Sequence, residues 1–371
     1  MSVTRTLTIS LFCVAFVASS QIVKRQVPTF VFEGDAPFSV DAETLASALT
    51  CPNGYPTSSS PPVLLVHGTS STGEETWRNG YVPALKEKGY TACYVTLPGR
   101  AMGDMQVSSE YVAYNLHYLS QLSRALKPAV ISHSQGGPNT QWALQFWPST
   151  RAVTSSFIPL SPDFEGIDLL GSDLSNFCVG NLCQACIWQQ SDGSNYFEAL
   201  HGHDFAALVP TTVVWSKTDG VVEPAKINAR LPGSTAISLQ DLCPLRFTTH
   251  VQMTMDAAAF AMALDALQNG GIGSLARVKK QRLKTCWRIG APDMDINIAD
   301  QIREDFDSII KGYIRRMPMA PPIPFACNIA MDRLFDVLVR RLVVGNTAEA
   351  DPDLERRADS DCLSGMIEAA W

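Results

Sequence analysis

The stretch Ala129-Val130-Ile131-Ser132-His133-Ser134-Gln135-Gly136-Gly137 begins as a short apolar strand, turns, and opens a helix on small residues. A serine at such a turn has its hydroxyl thrust out of a strained backbone. Its neighbours must be small to clear the adjacent chain. The helix that follows points its N-terminus at the same spot, where free N–H groups and the positive dipole end favour an oxyanion. The usual spacing is Gly-x-Ser-x-Gly; here Ser132 replaces the first glycine and is still small. Ser134 is the candidate nucleophile. A serine in an ordinary strand-to-helix turn is the plainer alternative.

Working outward, short continuous apolar runs recur at 63–66, 92–95, 129–131, 156–160 and 212–215. Runs of that length, bounded by turn residues, read as strands buried on both faces. Helical spacing lies between them at 82–88, 109–125 and 140–146, and returns at 251–267 and 299–315. Alternating strands and helices predict an α/β fold, with a mostly parallel central sheet and helices on both faces.

A serine nucleophile needs a base and an orienting acid, in the order Ser, Asp or Glu, His. Asp219 sits just past the apolar run 212–215, in a loop with Gly220, and His250 is the one histidine after it. The other acids near His250 are Asp241, with no strand read before it, and Asp256, inside the predicted helix 251–267; both read as surface charges. Asp219 and His250 therefore join Ser134 as the predicted triad. The oxyanion donors are expected at the Gln135 backbone N–H and in the loop His67-Gly68-Thr69-Ser70, where Thr69 offers an N–H and a hydroxyl. His67-Gly68 can also be read as a plain strand-ending turn. His133, beside the nucleophile, is expected to line the pocket. His201-Gly202-His203-Asp204 is a weak metal pattern, short of ligands, so no metal is predicted.

The rest of the sequence sets the compartment. Arg5, then the apolar run 7–17, then Ala18-Ser19-Ser20 read as a signal peptide over 1–20, too short to span a bilayer. Residues 21–25 read as a propeptide ending at Lys24-Arg25, and 26–371 as one domain with a C-terminal extension at 286–371. A protein starting at Gln26 loses three basic residues and no acid, so its charge goes from −7 to −10. Such a charge excludes nucleic acid as the expected partner and disfavours anionic membranes. No Asn-x-Ser/Thr sequon is present. Hydrophobic residues make up 46% and charged residues 18%, which excludes a disordered chain. Ten cysteines are many for a reducing compartment and suit a secreted, extracellular protein.

With these residues in place, the chain resembles the secreted fungal lipases of the Candida antarctica lipase B type, which have the α/β-hydrolase fold. The likeness rests on ordered short matches across roughly 33–365. They include Gly68-Thr69, Ser134-Gln135-Gly136-Gly137, Pro162-Asp163, Trp188-Gln189-Gln190, Thr218-Asp219 and Cys243-Pro244-Leu245. The resemblance implies the triad Ser134, Asp219 and His250 and the oxyanion donors Thr69 and Gln135. It also implies Asp163 and Gln190 as polar lining of the acyl side, and Val221 and Val222 as an apolar wall. It implies disulfides Cys51–Cys93, Cys243–Cys286 and Cys327–Cys362. Cys178, Cys183 and Cys186 depart from the family where it has a mobile lid, and two of them are expected to pair. Where family members can carry a large aromatic before the nucleophile, this chain has His133. The helix over the pocket maps to Ile302–Met317, here rich in charge.

The implied activity is hydrolysis of carboxylic esters, with a triacylglycerol lipase or esterase first. An acyltransferase on the same triad and a catalytically silent secreted binding protein are the alternatives. The implied partner is a lipid or other ester at a lipid–water interface, with no cofactor and a monomeric chain.

Overall fold

The structure, a computed structural model, describes residues 27–57, 59–169, 172–173, 184–202 and 205–294. The strands are β1 (Leu49–Thr50), β2 (Pro62–Val66), β3 (Thr91–Val95), β4 (Ala129–His133), β5 (Ser156–Leu160), β6 (Asp168–Leu169), β7 (Ser172–Asp173), β8 (Thr212–Trp215) and β9 (Thr235–Ser238). Seven of them form one sheet in the order β1-β3-β2-β4-β5-β8-β9. Every pairing in it is parallel except β1 with β3. β6 and β7 pair separately.

The continuous apolar runs are explained by what covers the two faces. Along β2, Leu64 and Val66 point into one core with Val130, Phe157 and Trp142. Val63 and Leu65 point into the other, with Ile131, Ile158, Leu85 and Phe260. Successive strand residues face opposite sides, so a strand covered by helices on both faces must be apolar at every position. The chain has the α/β-hydrolase arrangement: a mostly parallel sheet sandwiched between helices.

Two elements differ from the sequence reading, each for a local reason. The predicted helix 109–125 starts earlier, at Met105, because Asp104 accepts from the Gln106 N–H and caps it. It stops at Leu122, before Arg124 and Ala125 take positive φ. The predicted helix 251–267 splits into a 3-10 turn, Val251–Thr254, and the helix Ala257–Gln268. Asp256 causes the break: it is extended, and its carboxylate accepts from the N–H groups of Ala258 and Ala259. Asp256 is therefore a buried cap rather than a surface charge. Strand β9, just before Asp241, escapes a sequence reading because Ile237 is its one large apolar residue. Asp241 itself closes a capping box with Ser238 and pairs with Lys217 at 3.1 Å on the surface.

Disulfides join Cys51 to Cys93 and Cys243 to Cys286. Cys178, Cys183 and the Cys327–Cys362 pair fall outside the described residues, as do the leader 1–25 and the segment 302–317. Among the described residues, no helix is long and apolar enough to cross a membrane.

Candidate active site

Ser134 follows β4 directly and has φ 55°, a left-handed conformation that a serine occupies at a cost. Its N–H donates to Leu160 O of the neighbouring strand at 3.1 Å, and its carbonyl accepts from the Gly137 N–H at 2.7 Å. The turn is thus held from the sheet and from the helix Gly136–Phe146. Two glycines are required sterically. A Cβ on Gly136 would lie 2.7 Å from Val66 O, and one on Gly68 would lie 2.6 Å from Ser134 Cβ.

Asp219 and His250 come from loops after β8 and β9, at the same end of the sheet as Ser134. The His250 Nδ1–H lies 2.9 Å from Asp219 Oδ1 and 3.0 Å from Oδ2. That leaves Nε2 as the lone-pair nitrogen. Asp219 Oδ1 also accepts from the N–H groups of Val222, at 2.8 Å, and Val221, at 3.2 Å. Val222 is buried and Val221 is 42% exposed, so these residues hold the acid through their backbone. The His250 N–H donates to Asp219 O at 2.8 Å. Thr248 further ties the two loops, with its carbonyl accepting from Ser216 Oγ at 2.6 Å and its N–H donating to Thr218 Oγ1 at 3.0 Å.

The electrostatics separate the partners. Burial penalises the charged His250, but the charge and hydrogen bond of Asp219 outweigh it and hold its pKa above the usual histidine value. Burial likewise opposes the charged Asp219; the His250 charge and hydrogen bond prevail and hold it low. His133 is different. Burial and the adjacent His250 push it down to about 3, so it stays neutral. Its Nε2–H donates to His250 O at 2.9 Å, and its ring lies 4.5 Å from the His250 ring. The residue before Ser134 thus grips the backbone of His250.

Ser134, His250, His133, Gly68 and Thr69 line one narrow cleft of about 60 Å³. Ser70, Ser71, Thr76, Val251 and Thr254 complete its wall, and the last three have no motif that would have announced them. Thr69 Oγ1 donates to Gln190 Oε1 at 2.9 Å, which places Gln190 against the loop 67–70. Gln135 caps the helix Gly136–Phe146, and its buried side-chain amide has no hydrogen-bond partner among the described residues.

His67 has more to do than end a strand. It is fully buried, and burial lowers its pKa to about 4. Its Nε2 accepts from the Leu97 N–H at 2.9 Å, so Nδ1 carries the proton and donates to Gly68 O at 2.8 Å. Gly68 O and the Thr69 N–H share one rigid peptide plane. Pinning the carbonyl therefore fixes the direction of that N–H.

Asp163 is buried, and neither carboxylate oxygen has a hydrogen-bond partner among the described residues. Burial raises its pKa to about 7. The native state then binds a proton that the unfolded chain releases near pH 4. Stability from this group is full below that and falls by about 1.4 kcal/mol per pH unit up to the folded pKa. Asp163→Asn is expected to remove this part of the slope in urea unfolding between pH 5 and 7. Equal slopes in both proteins would show that the carboxyl is not held neutral.

His201 Nε2 donates to Phe164 O at 2.8 Å, while His203 and Asp204 are outside the described residues. Among the described residues, no three His, Cys, Asp or Glu side chains gather as a metal site. Cys186 is buried, with its Sγ 3.9 Å from Met102 Sδ.

No family model matches the chain. Over 260 residues it is 32% identical to Lipase B of Pseudozyma antarctica, covering 68% of this chain and 74% of that protein. The crystal structure of Aspergillus fumigatus lipase B superposes with a TM-score of 0.68 at 30% identity, covering 76% of this chain and 69% of that one. On the strength of that shared sequence and fold, the chain belongs to the lipase B family of carboxylic ester hydrolases.

Proposed function

We propose that this chain is a secreted serine hydrolase that cleaves acylglycerols and simpler carboxylic esters through an acyl-enzyme. The observation that carries the reading is the Asp219–His250 pair beside a serine held at positive φ, all at one end of the sheet. Ser134 Oγ attacks the ester carbonyl as His250 Nε2 takes its proton. The carbonyl becomes an oxyanion, met by the N–H groups of Gln135 and Thr69. The C–O bond then breaks, and His250 returns the proton to the leaving alcohol. Water repeats the sequence on the acyl-enzyme, releasing the acid and Ser134. Preset donors at the oxyanion are each worth about 3–4 kcal/mol of barrier in comparable sites. His67 serves this step by holding the Thr69 N–H in place.

In the free enzyme the Thr69 hydroxyl hydrogen is directed at Gln190. It must turn from Gln190 to the oxyanion to act as a third donor. Asp163, near the charged pair, offers the acyl side a neutral carboxyl below its raised pKa. Val221 and Val222 hold Asp219 through their backbone N–H groups and are read as the apolar wall through their side chains. Secretion is supported by the leader pattern at 1–20 and by two disulfides among the described residues. Triacylglycerols and p-nitrophenyl esters of graded acyl length, offered with and without a competing alcohol, test the reading. Free acid as the main product supports hydrolysis; ester of the added alcohol as the main product indicates acyl transfer instead.

A further inference from the structure

The segment 277–288 carries six basic residues and no acid, in a chain whose net charge is −7. Arg277 is engaged by Asp265 at 2.8 Å. Lys279, Lys280, Arg282, Lys284 and Arg288 are exposed and have no ion pair among the described residues. Large apolar side chains stand between them in solvent: Leu283 is 75% exposed, Trp287 85% and Ile289 64%.

This strip is fixed against the loop that carries the base. The Cys243–Cys286 disulfide staples the two. The Arg246 guanidinium donates to Arg288 O at 2.5 Å and Ile289 O at 2.7 Å. On either side of Arg246, Leu245 is fully exposed and Phe247 half exposed. Ile289 O also accepts from the Ala257 N–H, seven residues after His250. Cations and apolar side chains therefore share one exposed segment, stapled beside the His250 loop.

We propose that this segment docks the enzyme on an anionic lipid surface. The chain's overall negative charge does not forbid it, because charges more than about 10 Å from the surface are screened at ordinary salt. The nearest charges decide, and here they are positive. The apolar side chains decide the class of partner. Trp287, Leu283 and Ile289 gain by leaving water only if the partner offers an apolar medium, as the headgroup–acyl boundary of a membrane does. A polyanionic polysaccharide would answer the cations and leave these side chains wet. The inference is compatible with the ester-hydrolase reading but uses none of its catalytic residues.

The test is sedimentation of the full chain with vesicles of phosphatidylcholine alone or with phosphatidylglycerol admixed. At low salt, binding to the mixed vesicles is expected to be at least about tenfold tighter, and to weaken as salt rises. Replacing Lys279, Lys280, Arg282 and Lys284 together by Gln is expected to lower that affinity about 100-fold or more. Trp287→Ser is expected to weaken binding to both vesicle types. Far-ultraviolet circular dichroism and thermal unfolding should be unchanged in all variants, which shows that they fold, and so should hydrolysis of a water-soluble ester. Equal binding to both vesicles, or unchanged binding by the quadruple variant, would overturn the proposal. So would retention on a sulfated polysaccharide with no vesicle binding. Because the readout is binding, a failure of ester hydrolysis would leave this result standing on its own.

Discussion

Asp219→Asn is expected to lower kcat by about four orders of magnitude while leaving the fold intact. In the native protein the carboxylate accepts from His250 Nδ1–H at 2.9 Å, which fixes the tautomer with Nε2 free toward the cleft. An amide can present its NH2 to the same nitrogen and so favour the tautomer with the proton on the wrong side. The substitution also has a sign in pH. His250 must be neutral to take a proton, so activity falls as pH drops through its raised pKa. Removing the Asp219 charge removes the largest cause that raises it. The acid limb of kcat/KM should therefore move to lower pH in the variant even as the rate collapses. A loss of less than tenfold, or an acid limb that stays in place, would mean that Asp219 is not the partner that tunes the base.

Arg246→Ala is expected to cost about 3–5 kcal/mol of stability, the range for breaking a buried ion pair from one side. Arg246 Nε and Nη2 each lie 2.7 Å from Asp256 Oδ2, and both side chains are at least 90% shielded from solvent. The same carboxylate caps the helix Ala257–Gln268 and accepts from Thr248 Oγ1 at 2.8 Å. Removing the guanidinium leaves that charge buried and takes a donor away from the carbonyls of Arg288 and Ile289. Urea unfolding reads the effect directly. A cost below about 1 kcal/mol, the level of an exposed pair, would show that the site is wetter than its burial implies. Because Thr248 also carries the contacts that place the Asp219 loop, kcat should fall with stability.

What was legible in the sequence follows from how local each constraint is. The elbow around Ser134 was readable because Gly136 has to clear Val66 O and His67 O, a requirement that shows as a small residue at a fixed offset. Five of the six strands of four or five residues were readable because both faces are covered, which forces apolar residues along them; β9 was not, because its first two residues are partly exposed. Asp219 and His250 were found by chain order. The grip of His133 on His250 O and of His67 on Gly68 O left no signature, since both depend on residues brought together by the fold. Asp256 was misread for the same reason. Its position in an apolar periodic run looks like the middle of a helix, and only the ten-residue return to Arg246 makes it a buried cap. The net charge hid the basic strip at 277–288, because a total says nothing of where charge sits.

The proposed mechanism stands or falls on Ser134 as the nucleophile. The most direct measurement is treatment with a fluorophosphonate, followed by peptide mass spectrometry and assay of the same sample on a p-nitrophenyl ester. One phosphonyl adduct is expected, on Ser134, appearing in step with loss of hydrolysis, with neither adduct nor hydrolysis in Ser134→Ala. An adduct on another serine, or Ser134→Ala that hydrolyses at the native rate, would contradict it.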